Sequence, residues 1–279
     1  MADQINQKYD YIVVGAGSAG SVVANRLSAD PRHKVLVLEA GPASHFWSRI
    51  PVGYAKLLNN PAVNWRYSGE PEESTNGRRI YVPRGKMLGG SSSINGLVFV
   101  RGQARDYNTW AQMGNKGWSY DDVLPHFKSI ESFEGDGDDE FRGKDGPLRV
   151  TNPDEKGPLY DTIIKAAGEV GIPYNKDYNG AKQEGISMSQ ATIAGGRRMS
   201  TAHCFLDPVK SRPNLTIQTD ALSEGLILEG KRCVGVRYSV NGQPREARAG
   251  KEVVICAGTI NSPQLLELSG IGQAERLKA

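Results

Sequence analysis

The sequence is poor in the residues on which several common kinds of site depend. Among its 279 residues there are three cysteines, Cys204, Cys233 and Cys256. They lie far apart and without CxxC spacing, which argues against a disulfide framework or a zinc site and favours a reducing compartment. Histidine is also scarce, with four residues. We therefore predict no metal site.

Long hydrophobic runs and clustered charge are missing as well. The apolar run Tyr9–Val14 near the N-terminus is too short to span a bilayer, and no basic segment followed by an apolar one marks a signal peptide. The net charge of +3 is spread along the chain, whereas nucleic-acid-binding proteins cluster their lysines and arginines. We expect a cytoplasmic protein with neither a membrane nor a nucleic acid as partner.

Glycine, in contrast, is abundant, with 33 residues, and several of them form tight clusters, as where backbone approaches a ligand. The first cluster, Gly15-Ala16-Gly17-Ser18-Ala19-Gly20, matches the pattern GxGxxG. Gly15 permits a tight turn, Gly17 lets the backbone approach a pyrophosphate, and Gly20 lets a helix pack closely on a strand. The cluster follows a predicted buried strand, Tyr9–Val14, and opens a helical pattern, Ser18–Leu27.

A second apolar segment, Lys34–Leu38, completes a strand–helix–strand unit and ends at Glu39. The free N–H groups and the dipole of the helix attract phosphates. The Glu39 carboxylate can accept hydrogen bonds from ribose hydroxyls and would repel a 2′-phosphate. These features predict dinucleotide binding. FAD and NAD share the fingerprint, so this unit leaves the choice between them open.

Further along the chain the patterns are weaker. The acidic stretch from Glu131 to Asp145 indicates a solvated loop. We predict a helix over Pro158–Val170, a strand over Gly185–Ile193, several strands within Leu215–Val240, and a strand at Val253–Cys256. The pair Ser262-Pro263 predicts the start of a helix, with a serine cap and a proline at the first helical position.

A second glycine cluster occupies residues 83–96, with the sequence PRGKMLGGSSSING. Its small side chains and many N–H donors suit backbone wrapped around a phosphate or a flat ring. A flexible linker is the alternative, but the apolar residues Ile94, Leu97, Val98 and Phe99 argue against it.

This run resembles the first signature of the glucose–methanol–choline (GMC) oxidoreductases. Residues 258–272, GTINSPQLLELSGIG, closely resemble the second signature. With the N-terminal fingerprint and Arg212-Pro213-Asn214-Leu215, the resemblance extends from the first predicted strand to the last residue. Within the family, the chain looks most like choline-dehydrogenase-like bacterial alcohol dehydrogenases and oxidases.

The resemblance implies an α/β fold: an FAD-binding, Rossmann-like, doubly wound domain with part of an inserted α+β substrate domain. The FAD-binding domain would be discontinuous, over 1–155 and 213–279, and the partial substrate-binding domain would cover 156–212.

It also implies the cofactor, FAD, and its contacts. Ser18 and Ala19 would contact the pyrophosphate, Glu39 the adenosine ribose, and Ser223 the adenine through its backbone. The complete implied set is Gly15, Gly17, Ser18, Ala19, Gly20, Glu39, Gly89, Gly90, Ser91, Asn95, Gly96, Val98, Ser223, Ala257 and Gly258. Some members attach FAD covalently through a histidine at the position of Ile94. Isoleucine cannot form that bond, so noncovalent FAD is predicted.

The family's chemistry is oxidation of the CH–OH group of an alcohol, with hydride transfer to flavin N5 and a histidine as the natural base. The family places this histidine in a C-terminal part, and His33, His45, His126 and His203 match no catalytic position. We assign no catalytic residue. We expect that this C-terminal part is either supplied by a second polypeptide or missing because the chain is a truncated product. The alternatives are a noncatalytic flavin-binding or interaction module and an NAD-dependent dehydrogenase.

Overall fold

The structure is a computed structural model that describes residues 7–152 and 157–278. The chain divides into two compact units. The first unit contains the described residues of Met1–Asn95 and Ser200–Ala279, and the second unit contains those of Gly96–Met199. The assignment of cofactor-binding and substrate-binding roles to 1–155, 156–212 and 213–279 stays a prediction.

The elements are numbered in chain order. The strands are β1 Gln7–Val14, β2 Val35–Leu38, β3 Tyr67–Ser68, β4 Tyr81–Val82, β5 Glu131–Glu134, β6 Leu148–Thr151, β7 Ile193–Ala194, β8 Arg197–Arg198, β9 Leu215–Gln218, β10 Ala221–Glu229, β11 Arg232–Val240 and β12 Gln243–Ile255. The helices are α1 Ser18–Leu27, α2 Phe46–Arg49, α3 Tyr54–Leu57, α4 Ala104–Gln112, α5 Tyr120–Ile130, α6 Pro158–Glu169, α7 Gly258–Leu268 and α8 Ala274–Lys278.

A six-stranded sheet organises the first unit, in the order β10-β11-β12-β1-β2-β9. The strands β12, β1, β2 and β9 run parallel, and β10 and β11 extend the sheet in antiparallel fashion. The predicted unit of strand, glycine turn, helix and strand is confirmed as β1, α1 and β2. The predicted strands within 215–240 are confirmed as well.

The parallel strands are apolar at successive positions because both faces of the sheet are covered. Ile12 and Val14 enter one core, together with Leu265 of α7. Val13, between them, enters the opposite core with Ala24 of α1. This alternation follows from the two-residue period of a strand. It places α1 and α7 in separate cores of a doubly wound sheet, as the predicted fold class requires.

The predicted helix start at Ser262-Pro263 is wrong. Helix α7 begins at Gly258 and contains Pro263 in its interior. Gly258 has φ +88°, which glycine adopts readily and which turns the chain directly from β12 into the helix. The residue at the N-cap is therefore Ala257, and no side chain caps the helix.

The predicted strand over Gly185–Ile193 is also wrong. Within it, Ile186 and Ala191 make isolated bridges, and β7 begins only at Ile193. The side chain of Gln190 is fully buried and bonds to Arg142 at 2.9 Å and to Asn179 at 2.7 Å. Side-chain hydrogen bonds, which sequence alternation does not reveal, shape this segment of the second unit.

The prediction of a solvated acidic loop is wrong at Glu131, which begins strand β5. Its side chain is completely buried, and its two oxygens accept hydrogen bonds from Arg142 and Arg101, each at 2.7 Å. Arg142 also contacts Asp177 at 2.9 Å and lies 3.7 Å from the ring centre of Phe133. The second unit thus contains a buried charged network where the local sequence indicates solvent.

Among the helices of the described residues, none combines the length and the apolar character that crossing a bilayer requires.

Candidate cofactor-binding site

A cavity of about 830 Å³ lies within the first unit, where three parallel strands end. Its wall includes Val14 of β1, Leu38 of β2 and Ile255 of β12, each the last residue of its strand. In open α/β sheets, ligands bind outside the carboxyl ends of the strands. The volume is in the range of cofactor sites. The position and size of the cavity therefore suit a dinucleotide.

The glycines of the first cluster have different physical roles. Gly15 has φ +90°, and a Cβ there would lie 2.6 Å from the carbonyl oxygen of Cys256. A Cβ on Gly20 would lie 1.8 Å from the carbonyl oxygen of Gly15, so these two glycines are needed for packing. A Cβ on Gly17 would meet no atom closer than 3.8 Å, and Gly17 faces the cavity. The space beside Gly17 is therefore open to a ligand, whereas the space beside Gly15 and Gly20 is filled by protein backbone.

The two glycine clusters meet, backbone against backbone. The Gly89 N–H donates to the carbonyl of Ala16 at 2.7 Å. Gly90 has φ +52°, and a Cβ there would lie 2.7 Å from the Cα of Gly17. The alternative of a flexible linker is wrong, because Gly90–Ser93 forms a 3₁₀ turn and Ser93 Oγ donates to the Leu88 carbonyl at 2.7 Å.

Two helices begin at the cavity without a side chain to cap them. Gly17 is the N-cap of α1 and Ala257 is that of α7, and neither helix start has a side-chain cap hydrogen bond. Both residues line the cavity, as does Arg84. First-turn N–H groups carry partial positive charge and bind phosphates readily. The donors present in this cavity therefore fit a diphosphate.

Glu39 supplies an acidic group to the same cavity. One carboxylate oxygen accepts the Ala16 N–H at 2.9 Å and the other accepts the Gly41 N–H at 3.0 Å. Burial raises the pKa of Glu39 to about 7, against the opposing effect of these N–H groups and of Lys86. Each carboxylate oxygen has two lone pairs, so the group can accept two further donors. Ribose hydroxyls are donors of this kind.

The structure brings most of the expected cofactor-binding residues to this one cavity. Those that line it are Gly15, Gly17, Ser18, Ala19, Glu39, Gly90, Ser91, Ser223, Ala257 and Gly258. Gly20 and Gly89 support the turns behind it. Asn95 is exposed, with its N–H bonded to the Ser91 carbonyl at 2.9 Å.

Gly96 and Val98 belong to the second unit and are exposed. Their contact with a cofactor stays a prediction, as does that of every other residue in the set.

The cavity lining also contains residues outside the predicted set, among them Trp65, Tyr67, Arg84 and Asn261. The Trp65 and Tyr67 rings stack with centroids 6.0 Å apart and planes 5° apart. Arg66, between them, has φ +58°, so the segment is not a regular extended strand here, and the two-residue spacing in the sequence does not predict the shared face. Nothing local in the sequence shows that this segment returns to the ends of the sheet.

The four histidines lie outside the residues that line the cavity. The His45 ring accepts the Trp47 N–H and so caps α2. The His33 ring contacts that of Tyr11 edge-on, with centroids 5.1 Å apart. His203 pairs with Asp207 at 3.1 Å. These three contacts are surface and packing contacts.

The chain matches a family model described as GMC oxidoreductase over residues 9–278. It is 45% identical over 270 residues to the oxygen-dependent choline dehydrogenase of Brucella anthropi, covering 96% of this chain and 49% of that protein. It is 43% identical to the mitochondrial choline dehydrogenase of Mus musculus, covering 97% of this chain and 47% of that protein. The chain thus spans about half the length of these curated relatives.

Solved structures agree. Pyridoxine 4-oxidase from Mesorbium loti superposes with a TM-score of 0.92 at 35% identity, over 97% of this chain and 53% of that one. An FAD-dependent oxidoreductase from Chaetomium thermophilum gives 0.90 at 31% identity, over 97% and 49%. GMC oxidoreductases are FAD-binding flavoproteins. This chain belongs to the GMC oxidoreductases and corresponds to the FAD-binding N-terminal region of the choline-dehydrogenase-like enzymes.

Proposed function

We propose that this chain is the FAD-binding portion of a flavin oxidoreductase that oxidises the CH–OH group of an alcohol. The observation that supports FAD binding most strongly is that two glycine clusters, two uncapped helix starts and Glu39 all meet at one cavity. The assignment of an alcohol as the substrate class is supported by the choline dehydrogenases among the relatives, since choline carries a CH–OH group.

In this proposal the chain's own groups bind and orient the cofactor. The N–H groups of Ser18 and Ala19 hold the diphosphate, Glu39 accepts the ribose hydroxyls, and the Ser223 backbone meets the adenine. The region Ser91 to Val98 lies toward the flavin, with contacts from Ser91, Asn95, Gly96 and Val98. When bound, FAD supplies the hydride acceptor at N5. The base that takes the hydroxyl proton is placed outside this chain.

An anaerobic reduction experiment tests this division of roles. The FAD-loaded chain is mixed with choline, and the visible flavin band is followed. We expect the band to persist with choline and to bleach with dithionite, which shows that the flavin is reducible. Bleaching by an alcohol with this chain alone would contradict the placement of the base elsewhere.

The alternative is a noncatalytic flavin-binding fragment or interaction module. It is separated from the enzyme by purifying the protein from its native source, with any polypeptide that accompanies it, and adding alcohols and an electron acceptor. The enzyme proposal expects flavin reduction and turnover in that assembly. If the chain is a noncatalytic module, the flavin should be bound but no alcohol should reduce it.

Noncovalent attachment gives a separate prediction. Ile94 is 2% exposed and packs with Leu57, Val63 and Met87, and an isoleucine side chain has no nucleophile for a bond to flavin. Denaturing the loaded chain in acid should release all of the flavin into the supernatant and leave the intact mass equal to that of the polypeptide. Flavin that stays with the precipitated protein would contradict this.

Cofactor affinity should depend on pH through Glu39. Ribose hydroxyls that donate to the carboxylate favour its ionised form, so binding lowers its pKa and releases a proton. Because the pKa without cofactor is raised to about 7, affinity should rise with pH, by up to about tenfold per unit below pH 7, and level off above it. Titrations of the wild type and Glu39→Gln from about pH 5 to about pH 8 check this.

The Gln variant should bind FAD more weakly and with a flat profile in this range, and an equal slope in both proteins would contradict the prediction.

The stability of the cofactor-free fold depends on pH in the opposite direction. Through its raised pKa, Glu39 contributes stability to the folded chain at a pH below 4.5, the usual pKa of the group. This contribution is lost as the pH rises through about 7.

A further inference from the structure

One wall of the cavity is an antiparallel ribbon, residues 64–85, which contains β3 and β4. Bridging of Asn64 to Gly85 and pairing of Tyr67 with Val82 hold its two halves together. At its base, Asn64 Nδ2 donates to the Leu58 carbonyl at 2.6 Å. Its outer residues, 70–80, are mostly exposed. The ribbon is thus anchored at its base, and its outer part is surrounded by solvent.

The ribbon presents an aromatic face to the cavity. Trp65 and Tyr67 both line it, with their rings stacked, and Lys86 Nζ lies 5.2 Å from the Trp65 ring centre. The lining also includes the first turn of α7, with Asn261. A cofactor that fills this cavity would contact both the ribbon and the start of α7, because residues of both line it.

A side-chain hydrogen bond joins these two parts of the lining. The Tyr67 hydroxyl donates to Asn261 Oδ1, joining β3 to α7 across 194 residues of sequence. Both residues are half-buried. Burial raises the pKa of Tyr67 above its usual value of 10.0, so the hydroxyl keeps its proton and remains a donor throughout the neutral range. The ribbon's contacts described above, apart from this bond, are made at its base or within the ribbon itself.

We infer that the bond between Tyr67 and Asn261 is a latch that holds the ribbon across the cavity and thereby limits how fast the cofactor leaves. Both are positioning residues, because they act on the ribbon and not on a reacting atom. The inference rests on the proposed FAD binding and adds to it a determinant of residence time.

The chain supplies a matched control within the same ribbon. Tyr81 also donates its hydroxyl, to the Leu58 carbonyl, but this bond joins the ribbon to the preceding chain segment and not to α7, and Tyr81 is not among the residues that line the cavity. Tyr67→Phe and Tyr81→Phe therefore remove the same atom from neighbouring strands. Only the first change opens the connection to α7.

The test measures FAD release from the loaded chain by the rise in flavin fluorescence after dilution. Tyr67→Phe and Asn261→Leu should each accelerate release about fivefold, as expected for one neutral hydrogen bond. The double variant should release FAD no faster than either single variant, because both changes remove one interaction. Tyr81→Phe should release FAD at the wild-type rate, although it can lower the unfolding temperature of the cofactor-free chain.

Tryptic cleavage at the exposed Arg78 and Arg79 of the loaded chain should be faster in Tyr67→Phe than in Tyr81→Phe. Wild-type release rates in Tyr67→Phe, or additive effects in the double variant, would overturn the latch and leave FAD binding untouched. If the folded wild-type chain takes up no FAD, the proposed function fails first and the latch fails with it.

Discussion

Gly17→Ala should abolish useful FAD binding while leaving the fold intact. Gly17 has φ −74° and ψ −159°, an extended conformation, so alanine needs no left-handed backbone there. The new methyl group would meet no protein atom closer than 3.8 Å and would occupy space in the cavity. It would hold the diphosphate away from the N–H groups of α1. Losing two charge-assisted hydrogen bonds, about 3 kcal/mol or more, corresponds to an affinity reduced more than about 100-fold.

Two other glycines make this experiment specific. Gly168 lies in α6 of the second unit, with no atom within 4 Å of an added Cβ, so Gly168→Ala should leave FAD affinity unchanged and raise helix stability by up to about 1 kcal/mol. A Cβ on Gly20 would lie 1.8 Å from the Gly15 carbonyl oxygen, so Gly20→Ala should lower the unfolding temperature itself. Wild-type FAD affinity in Gly17→Ala would remove the first glycine turn from the site.

Glu131→Ala should destabilise the second unit by about 3–5 kcal/mol, because it leaves buried guanidinium groups without their carboxylate. Arg101 and Arg142 are 5% and 2% exposed, and each donates to Glu131 at 2.7 Å. Burial already lowers the pKa of Arg142 below its usual value, in opposition to the attraction of Glu131. Urea unfolding curves give the free energy of unfolding directly.

Glu134→Ala is the matched control for this loss. Glu134 lies in the same strand, β5, and pairs with Arg149, but both side chains are exposed by more than two fifths. An exposed pair contributes about 1 kcal/mol or less. Equal effects of the two substitutions would show that the buried network does not stabilise the unit as its geometry indicates.

The parts of this molecule that sequence could predict are those determined by neighbours along the chain. The alternating cores around β1 and β2, the turn at Gly15 and the strand end at Glu39 all follow from local patterns of apolar residues and glycine. The family resemblance then placed the second glycine cluster in the site, and the cavity contains Gly90 and Ser91 as expected.

The remainder depends on residues that are distant in sequence. Trp65 and Tyr67 reach the cavity because the ribbon returns to the ends of the sheet, and the bond from Tyr67 to Asn261 spans 194 residues. Glu131 is buried by Arg101 and Arg142, so its local acidic context was misleading. Such pairings leave no periodic signal, and a single sequence does not disclose them.

The most direct test of the central claim is the flavin content of the folded chain. The chain is saturated with FAD and desalted, its fold is checked by circular dichroism, and flavin and protein are both quantified. We expect close to one FAD for each wild-type chain and almost none for Gly17→Ala of equal stability. A correctly folded wild-type chain that retains no flavin would contradict the claim that the two glycine clusters and Glu39 form its binding site.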